Sequence, residues 1–543
     1  MSNYVHPLKQ FASRVAANPN APYLHQPVNQ VWTSYTWAEI DNIARRIASG
    51  LQAQGLQPGD RVAILGKNSV EWFISDFAIA MAGMVSVPIY ATAGTETINY
   101  VLEHSEAKVF FVGRLDDSSG VDAATHSAIT VGYPYEGINA DQKWSDWVDQ
   151  YEPLETIAEP EMSDLYTIVY TSGSTGKPKG VYLTGLNLAS AATDTVGNLP
   201  PEKNRCLSYL PLAHITERSV VAMSSLYGEL EVFFNESLAT FLDDLNHCRP
   251  TVFLSVPRLW SKFQSGILAK MPDKKLQLLL KIPIVGGVVA KKLREGLGLG
   301  ECKIFLSGSA PISAGLLRWY SKIGIDIMEG WGMSETSGGV CANVPFNPKH
   351  IGTIGRPYPC VELKLGEGGE LLIRGDAIFT KYYKNPEVTA QSFEDGWFKT
   401  GDCAKQTEDG AWMITGRVKE QFKTAKGKYV VPVPIESSIL GHVFVEQACV
   451  MGAGKPQPVA LLVLAEGLAA DQSEIAEALA SLRSEINSGL ESHQRLDHFV
   501  VVKDAWSIEN EMLTPTLKLK RNSLEAKYAE LLDRKFSDPV VWE

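Results

Sequence analysis

The stretch YTSGSTGKPKG, residues 170–180, crowds glycines, hydroxyls and two lysines into one short loop. These are the groups that hold phosphate: backbone N–H groups, Ser and Thr hydroxyls and ammonium charge. TIVY before it alternates like a strand, and GVYLT after it reads as another. The loop is therefore expected to join two strands. A P-loop of the GxxxxGK[ST] type needs wider glycine spacing and opens directly into a helix. Here the glycines at 173 and 176 are too close, and Lys177 is followed by Pro178. Spacing and setting exclude that class. Two uses stay open on these residues alone: a phosphate-wrapping loop of another type, or a solvated hairpin turn.

Strands alternating with helices extend on both sides. TWAEIDNIARRIASGLQAQGL (36–56) opens on a Thr N-cap candidate and carries a helical apolar period. DRVAILG (60–66), AGMVSVPIY (82–90) and AKVFFVG (107–113) read as short buried strands, and CLSYLPL (206–212), TVFLSV (251–256) and CKIFLSGS (302–309) repeat the rhythm. This pattern predicts an α/β chain with largely parallel sheets. Between about 352 and 416 the pattern changes to short strands with Gly-rich turns, a small antiparallel or barrel-like subdomain. A polar, lysine-rich stretch follows, VKEQFKTAKGKYVVPVPIE (418–436). The expected division is 1–416 and 417–543, the second part a smaller α+β domain. In it EIAEALASLRSEINSGL (474–490) and NSLEAKYAELLDRKF (522–536) read as helices, and DHFVVVKDAW (497–506) contains a strand.

At 543 residues the chain is too long for one core. Its net charge of −12 argues against a general nucleic-acid binder, though a local anion site remains compatible. The seven cysteines stand singly, with no CxxC, which predicts reduced thiols in a cytoplasmic setting and no structural zinc. The N-terminal stretch has no apolar signal-like region. WFISDFAIAMAGMVSVPIY (72–90) is interrupted by Asp76 and reads as a buried helix and strand, not a membrane span.

Four further stretches accompany the loop in order: EGWGMSET (329–336), KTGD (399–402), TGRVKEQFK (415–423) and LTPTLKLKR (513–521). Together the five resemble the core motifs of the adenylate-forming superfamily, which includes acyl-CoA synthetases, luciferases and peptide-synthetase adenylation domains. YLPLAHITER (209–218) and SVPRLW (255–260) look most like its long-chain fatty acyl-CoA synthetase branch.

The resemblance implies a large N-terminal domain, a mobile C-terminal domain, and ATP, Mg²⁺ and coenzyme A as partners of a fatty acid. Thr171, Ser172, Gly173, Ser174, Thr175, Gly176 and Lys177 would hold the β- and γ-phosphates. Ser334 would contact the α-phosphate, and Glu335 would ligate Mg²⁺, a hard cation suited to carboxylate oxygen. Gly308, Ser309 and Ala310 would line adenine, with Glu329 and Gly330 bordering it. Asp402 and Arg417 would hold the ribose. Lys518 would neutralise charge between carboxylate and phosphate, with Lys520 as the alternative. His214 falls near the implied acyl and thiol channels, and as an isolated histidine it reads equally as structural. Glu420 occupies the hinge. Lys423 and Gly427 would face the pantetheine, and Lys426 and Lys428 either meet coenzyme A phosphates or are solvated. Another carboxylate is the alternative acid, a carrier protein acting in trans the alternative acceptor, and a non-catalytic acyl- or nucleotide-binding protein the alternative class. Residues 270–300 interleave apolar runs with lysines: a helical hairpin with a solvated basic face, or one resting on the inner face of a membrane. No residue pattern bears on oligomeric state.

Overall fold

Tyr170 pairs with Gly180 and Thr171 with Lys179, so Leu165–Thr171 and Lys179–Thr184 form an antiparallel hairpin around the glycine-rich loop. The computed structural model describes residues 4–171, 177–200, 203–465, 468, 470–508, 510–514, 518–534 and 536–543. Ser172, Gly173, Ser174, Thr175 and Gly176 lie outside the described residues.

The hairpin belongs to an eight-stranded sheet. Its order is Lys381–Tyr382, Lys179–Thr184, Leu165–Thr171, Val85–Ile89, Arg61–Leu65, Ala107–Val112, Ile129–Gly132 and Gln142–Lys143. The first two pairings are antiparallel, and all pairings from Leu165–Thr171 with Val85–Ile89 onward are parallel. Helix Trp37–Ala53 starts at a reciprocal cap. Thr36 N–H donates to Glu39 Oε2 at 2.8 Å, and Glu39 N–H donates to Thr36 Oγ1 at 3.3 Å. Its buried Ile40, Ala44, Ile47, Ala48 and Leu51 recur at helical spacing.

Helix Val70–Met81 is buried along its whole length, as its apolar run predicts. The exception within that run, Asp76, is matched by a distant cation. Arg218 Nη2 donates to Asp76 Oδ1 at 2.7 Å and to Ser86 Oγ at 2.8 Å. Both side chains are withdrawn from water. A guanidinium at that depth needs such a partner.

A second sheet orders Val252–Ser255, Ile304–Ser307, Ile327–Met333, Gly338–Ala342 and Arg356–Pro357, the first three parallel. A third contains Arg205–Ser208, Glu231–Phe234, Pro22–Val28 and Val31–Thr36. The expected antiparallel subdomain is present: Val361–Leu365, Glu370–Gly375, Trp397–Gln406, Phe393–Glu394 and Trp412–Arg417.

After the short turn Val418–Glu420 the C-terminal part builds a four-stranded sheet from Val445–Met451, Val459–Leu464, Phe499–Val501 and Val540–Trp542. Its strands have two apolar faces. Val450, Leu462 and Phe499 pack with Ile435 and Leu479, while Cys449, Leu461 and Val500 pack with Trp506 and Leu524. The α/β architecture with a smaller α+β C-terminal domain thus follows the sequence pattern. One helix differs: residues 522–536 do not form a single helix. Arg521–Lys527 and Ala529–Asp533 are separated by Tyr528, at φ −102° and ψ 12°. Tyr528 is drawn into the core beside Trp506, whose Nε1 donates to its hydroxyl at 3.4 Å, and the backbone yields there. All seven cysteines are free thiols.

Candidate active site

The motif segments meet where the parallel strands end, and side-chain contacts chain them together. At the base of the glycine-rich loop, Lys177 Nζ lies 5.3 Å from the Tyr100 ring, and Lys179 Nζ lies 5.3 Å from the Tyr382 ring. Tyr382 sits on the two-residue strand that pairs with Lys179–Thr184. Its hydroxyl donates to Glu335 Oε1 at 2.7 Å. Glu335 is buried in the short 3-10 turn Ser334–Thr336, and Ser334 opens that turn.

Strand Ile304–Ser307 ends at Gly308, Ser309 and Ala310. Ser309 adopts φ +67°, and its hydroxyl lies 2.9 Å from Thr216 Oγ1. A Cβ on Gly308 would stand 3.6 Å from the Gly330 carbonyl oxygen, so the two backbone segments form one narrow wall. Glu329, next to Gly330, has its Oε2 buried without a partner among the described residues. Burial pushes its carboxyl up to about 8, against a backbone hydrogen bond from Ile312.

His214 caps the short helix Ile215–Glu217, its Nδ1 accepting from Thr216 N–H at 3.2 Å. Burial, and then the charge of Lys518, lower its pKa to about 4. It is neutral at pH 7, with its proton on Nε2. The Nδ1 contact gives the ring a structural role at this helix start.

Asp402 is buried and uses both oxygens: Trp331 Nε1 donates to Oδ2 at 2.9 Å, and Arg417 Nε lies 2.9 Å from Oδ1. Burial raises its pKa, opposed by Arg417, Trp331 and Lys518. Lys518 comes from the C-terminal domain and is exposed where the two domains face each other. The flanking walls still lower its pKa by desolvation, and Arg417 acts in the same direction. Asp402, Glu335 and Glu420 oppose them. Lys520 stands instead at the N-cap of Arg521–Lys527, its amide donating to Met512.

Two residues of this region lie inside motif stretches, yet the sequence assigns them no role of their own. Arg521 grips Glu436 through two nitrogens, at 2.7 and 2.6 Å, and reaches the hinge residue Glu420 at 3.3 Å. Glu217 is buried and accepts from Ser208 Oγ at 2.7 Å and from Asn68 Nδ2 at 3.3 Å. Burial pushes its carboxyl up to about 8. A raised carboxyl pKa means that the folded state holds a proton the unfolded state has lost. The stability this carries is full below about pH 4.5 and is lost as pH rises through about 8. Glu217→Gln is therefore expected to stabilise the protein at pH 8 by about 1–3 kcal/mol. At pH 4.5 it leaves stability near wild type. Denaturant titrations at the two pH values measure this, and a difference independent of pH contradicts it.

Lys423 and Gly427 are not joined to this cluster by any contact among the described residues. They stand on the hairpin Phe422–Lys423 and Tyr429–Val430, Gly427 at φ +72° in its turn. Lys423 Nζ lies 4.9 Å from the Tyr429 ring.

An apolar cavity of about 30 Å³ is lined by Leu199, Val220, Leu230, Ile304, Leu306 and Val344 among others. A larger, polar hollow of about 350 Å³ is lined by Arg205, Thr251 and Lys303. It opens at the opposite, N-terminal ends of the same strands, away from the motif residues.

The family model for AMP-binding enzymes matches residues 11–383, and that for the AMP-binding enzyme C-terminal domain matches residues 419–539. The chain belongs to the AMP-binding, or adenylate-forming, enzyme family, on its fatty acyl-CoA synthetase branch. It is 34% identical to the long-chain-fatty-acid–CoA ligase FadD15 of Mycobacterium bovis, over 94% of each chain. It is 30% identical to fatty acyl-CoA synthetase A of Dictyostelium discoideum, over 93% of this chain and 86% of that one. Among solved structures it resembles the adenylation domain of a carboxylate reductase from Mycobacterium chelonae. The TM-score is 0.83 at 24% identity, covering 98% of this chain and 91% of that one.

Proposed function

We propose that this enzyme joins a fatty acid to coenzyme A in two half-reactions at one site. In the first, a carboxylate oxygen of the acid attacks the α-phosphorus of ATP, and the bond to pyrophosphate breaks. In the second, the sulfur of coenzyme A attacks the acyl carbonyl carbon, and AMP leaves. What supports this reading is that Lys518, from one domain, lies within the electrostatic reach of Arg417, Asp402 and Glu335 of the other.

Two anions meet in the first step, so fixed positive charge at the developing negative charge lowers the barrier. Lys518 supplies an ammonium there. Thr171 and Lys177 hold the β- and γ-phosphates together with the residues between them, a role that rests on the motif. Ser334 donates its hydroxyl to the α-phosphate. Gly308, Ser309, Ala310 and Gly330 admit the flat base closely, because they carry small side chains or none. Neutral Glu329 offers its unpartnered oxygen at that wall. Asp402 and Arg417 hold the ribose. The cavity along Ile304 and Leu306 takes the start of the acyl chain, and its lining side chains must give way to a long one.

Glu335 fits Mg²⁺. Oε1 is fixed by Tyr382, and Mg²⁺ commonly uses one or two carboxylates together with substrate phosphates. Bound there, the ion neutralises phosphate charge. Glu335→Gln is expected to lower adenylate formation about 10²-fold and to raise the Mg²⁺ concentration at half-activity. A magnesium titration of pyrophosphate exchange measures both, and an unchanged half-activity point removes Glu335 from the metal.

In this reading residues 1–416 bind ATP and acid. Residues 417–543 turn about Glu420 between the half-reactions, bringing Lys423 and Gly427 toward the pantetheine. The relatives named as CoA ligases favour coenzyme A over a carrier protein. Thioester formation from purified protein, ATP, Mg²⁺, coenzyme A and acids of increasing length tests the whole. Pyrophosphate exchange without thioester from any fatty acid refutes the acceptor.

A further inference from the structure

The lysine-bearing segment 270–300 folds as two helices, Asp273–Leu280 and Val285–Gly296, packed on each other. Its inner side is held by the core: Leu276 and Ala290 are buried with Phe253, Phe263 and Phe305. Gly286 lies so close to its neighbour helix that an added Cβ would meet the Leu280 carbonyl oxygen at 2.4 Å. The outer side is uncovered. Leu278, Ile282, Ile284, Val285 and Val288 are all exposed, Ile284 by 86%. Elsewhere on the described surface, exposed large apolar side chains occur singly or in pairs along the chain.

The backbone at the tip is strained. Val285 N–H donates to the Pro283 carbonyl at 2.8 Å across Ile284, which adopts φ 69° and ψ −54°. This is the γ-turn with positive φ, a rare and strained form. A β-branched residue there is an outlier, and such strain gathers at functional positions. The turn holds the most exposed of the five apolar side chains out at the apex. Lys274, Lys275, Lys281, Lys291 and Lys292 are exposed on the same two helices and their connection. Asp273, itself exposed, accepts from Trp319 Nε1 at 2.9 Å, and Lys291 lies 3.7 Å from Glu295.

We propose that this hairpin tip docks on an anionic lipid bilayer, its apolar residues entering the headgroup region and its lysines meeting lipid phosphates. Charge complementarity selects this occupant. A chain of net charge −12 is repelled by such a surface except through a locally basic patch. A second copy placed on the same patch by two-fold symmetry would set lysines against lysines. The hairpin and the apolar cavity share one sheet: Ile304 and Leu306 line the cavity, while Phe305 between them faces the core that carries the hairpin. Among the described residues no helix is long and apolar enough to cross a membrane.

The full chain is cosedimented with phosphatidylcholine vesicles, with and without phosphatidylglycerol, at low and high salt. Binding is expected only with phosphatidylglycerol, and weaker at high salt. Ile284→Asp/Val288→Asp and Lys281→Glu/Lys292→Glu are each expected to weaken it at least about tenfold. All four positions are exposed, so both variants should melt as wild type. Adenylate formation from a short, water-soluble acid should be unchanged in both. That readout separates failure of this proposal from failure of the proposed reaction. Absent vesicle binding, equal binding to neutral vesicles, or variants that bind as wild type overturn it. So does loss of a dimer in the variants with lipid binding intact, which assigns the face to a second copy.

Discussion

Lys518→Ala is expected to lower adenylate formation by about 10²–10³, the usual effect of removing one preorganised charge from a transition state. Thioester formation from supplied acyl-AMP should be largely retained, because no phosphate is attacked in that step. The structure sharpens the choice of residue. Lys518 shares the fields of Asp402, Glu335 and Arg417, whereas Lys520 starts a helix. Lys520→Ala should accordingly leave adenylation within about threefold of wild type. The lysine's surroundings also predict that charge, not hydrogen-bonding length, is what matters. Lys518→Arg should recover part of the rate, limited by fit, since a planar fork does not replace a compact ammonium. Pyrophosphate exchange and thioester release are measured separately. Equal loss of both half-reactions in Lys518→Ala means that the lysine acts otherwise or that its domain no longer folds.

The second large effect concerns stability. Arg218 is fully buried, and the Asp76 side chain beside it is 5% exposed. Arg218 Nε and Nη1 have no hydrogen-bond partner among the described residues, and the guanidinium carbon lies 5.3 Å from the Trp72 ring. Arg218→Met strands a carboxylate in that interior and is expected to cost about 3–5 kcal/mol. Asp76→Leu strands the guanidinium at similar cost. The double variant removes both charges and should recover most of the loss, because an apolar pair of similar volume is often neutral. Denaturant unfolding of the four proteins closes the cycle. Additive losses mean that the two residues do not act as a pair.

The loop hairpin, the buried helix Val70–Met81 and the strand within 497–506 were legible because each rests on a local apolar pattern, whereas the other three strands of the C-terminal sheet were not read. What was not legible depends on partners far along the chain. Asp76 reads only as an interruption, since its cation is Arg218 on another element. Trp331 stands inside a motif, but nothing nearby reveals that its indole reaches Asp402. Tyr382 lies on a strand of two residues, too short for any alternation to show, yet it fixes Glu335. Tyr528 sits in a good helical pattern and breaks it, because its ring gains more from the core beside Trp506 than the backbone loses. Glu217 looks like an ordinary helix charge until Ser208 and Asn68 close over it.

Asp402 carries one more implication. A carboxylate offers about four acceptor positions. Trp331 and Arg417 occupy one on each oxygen, which leaves about two, the number of hydroxyls on a ribose ring. In the proposed reaction the sugar completes this set without displacing either resident donor. A sugar lacking one hydroxyl leaves a lone pair unmet in a place water hardly reaches. The same two contacts that hold the aspartate still thereby make it a counter of hydroxyl groups, able to tell a ribonucleotide from its deoxy form.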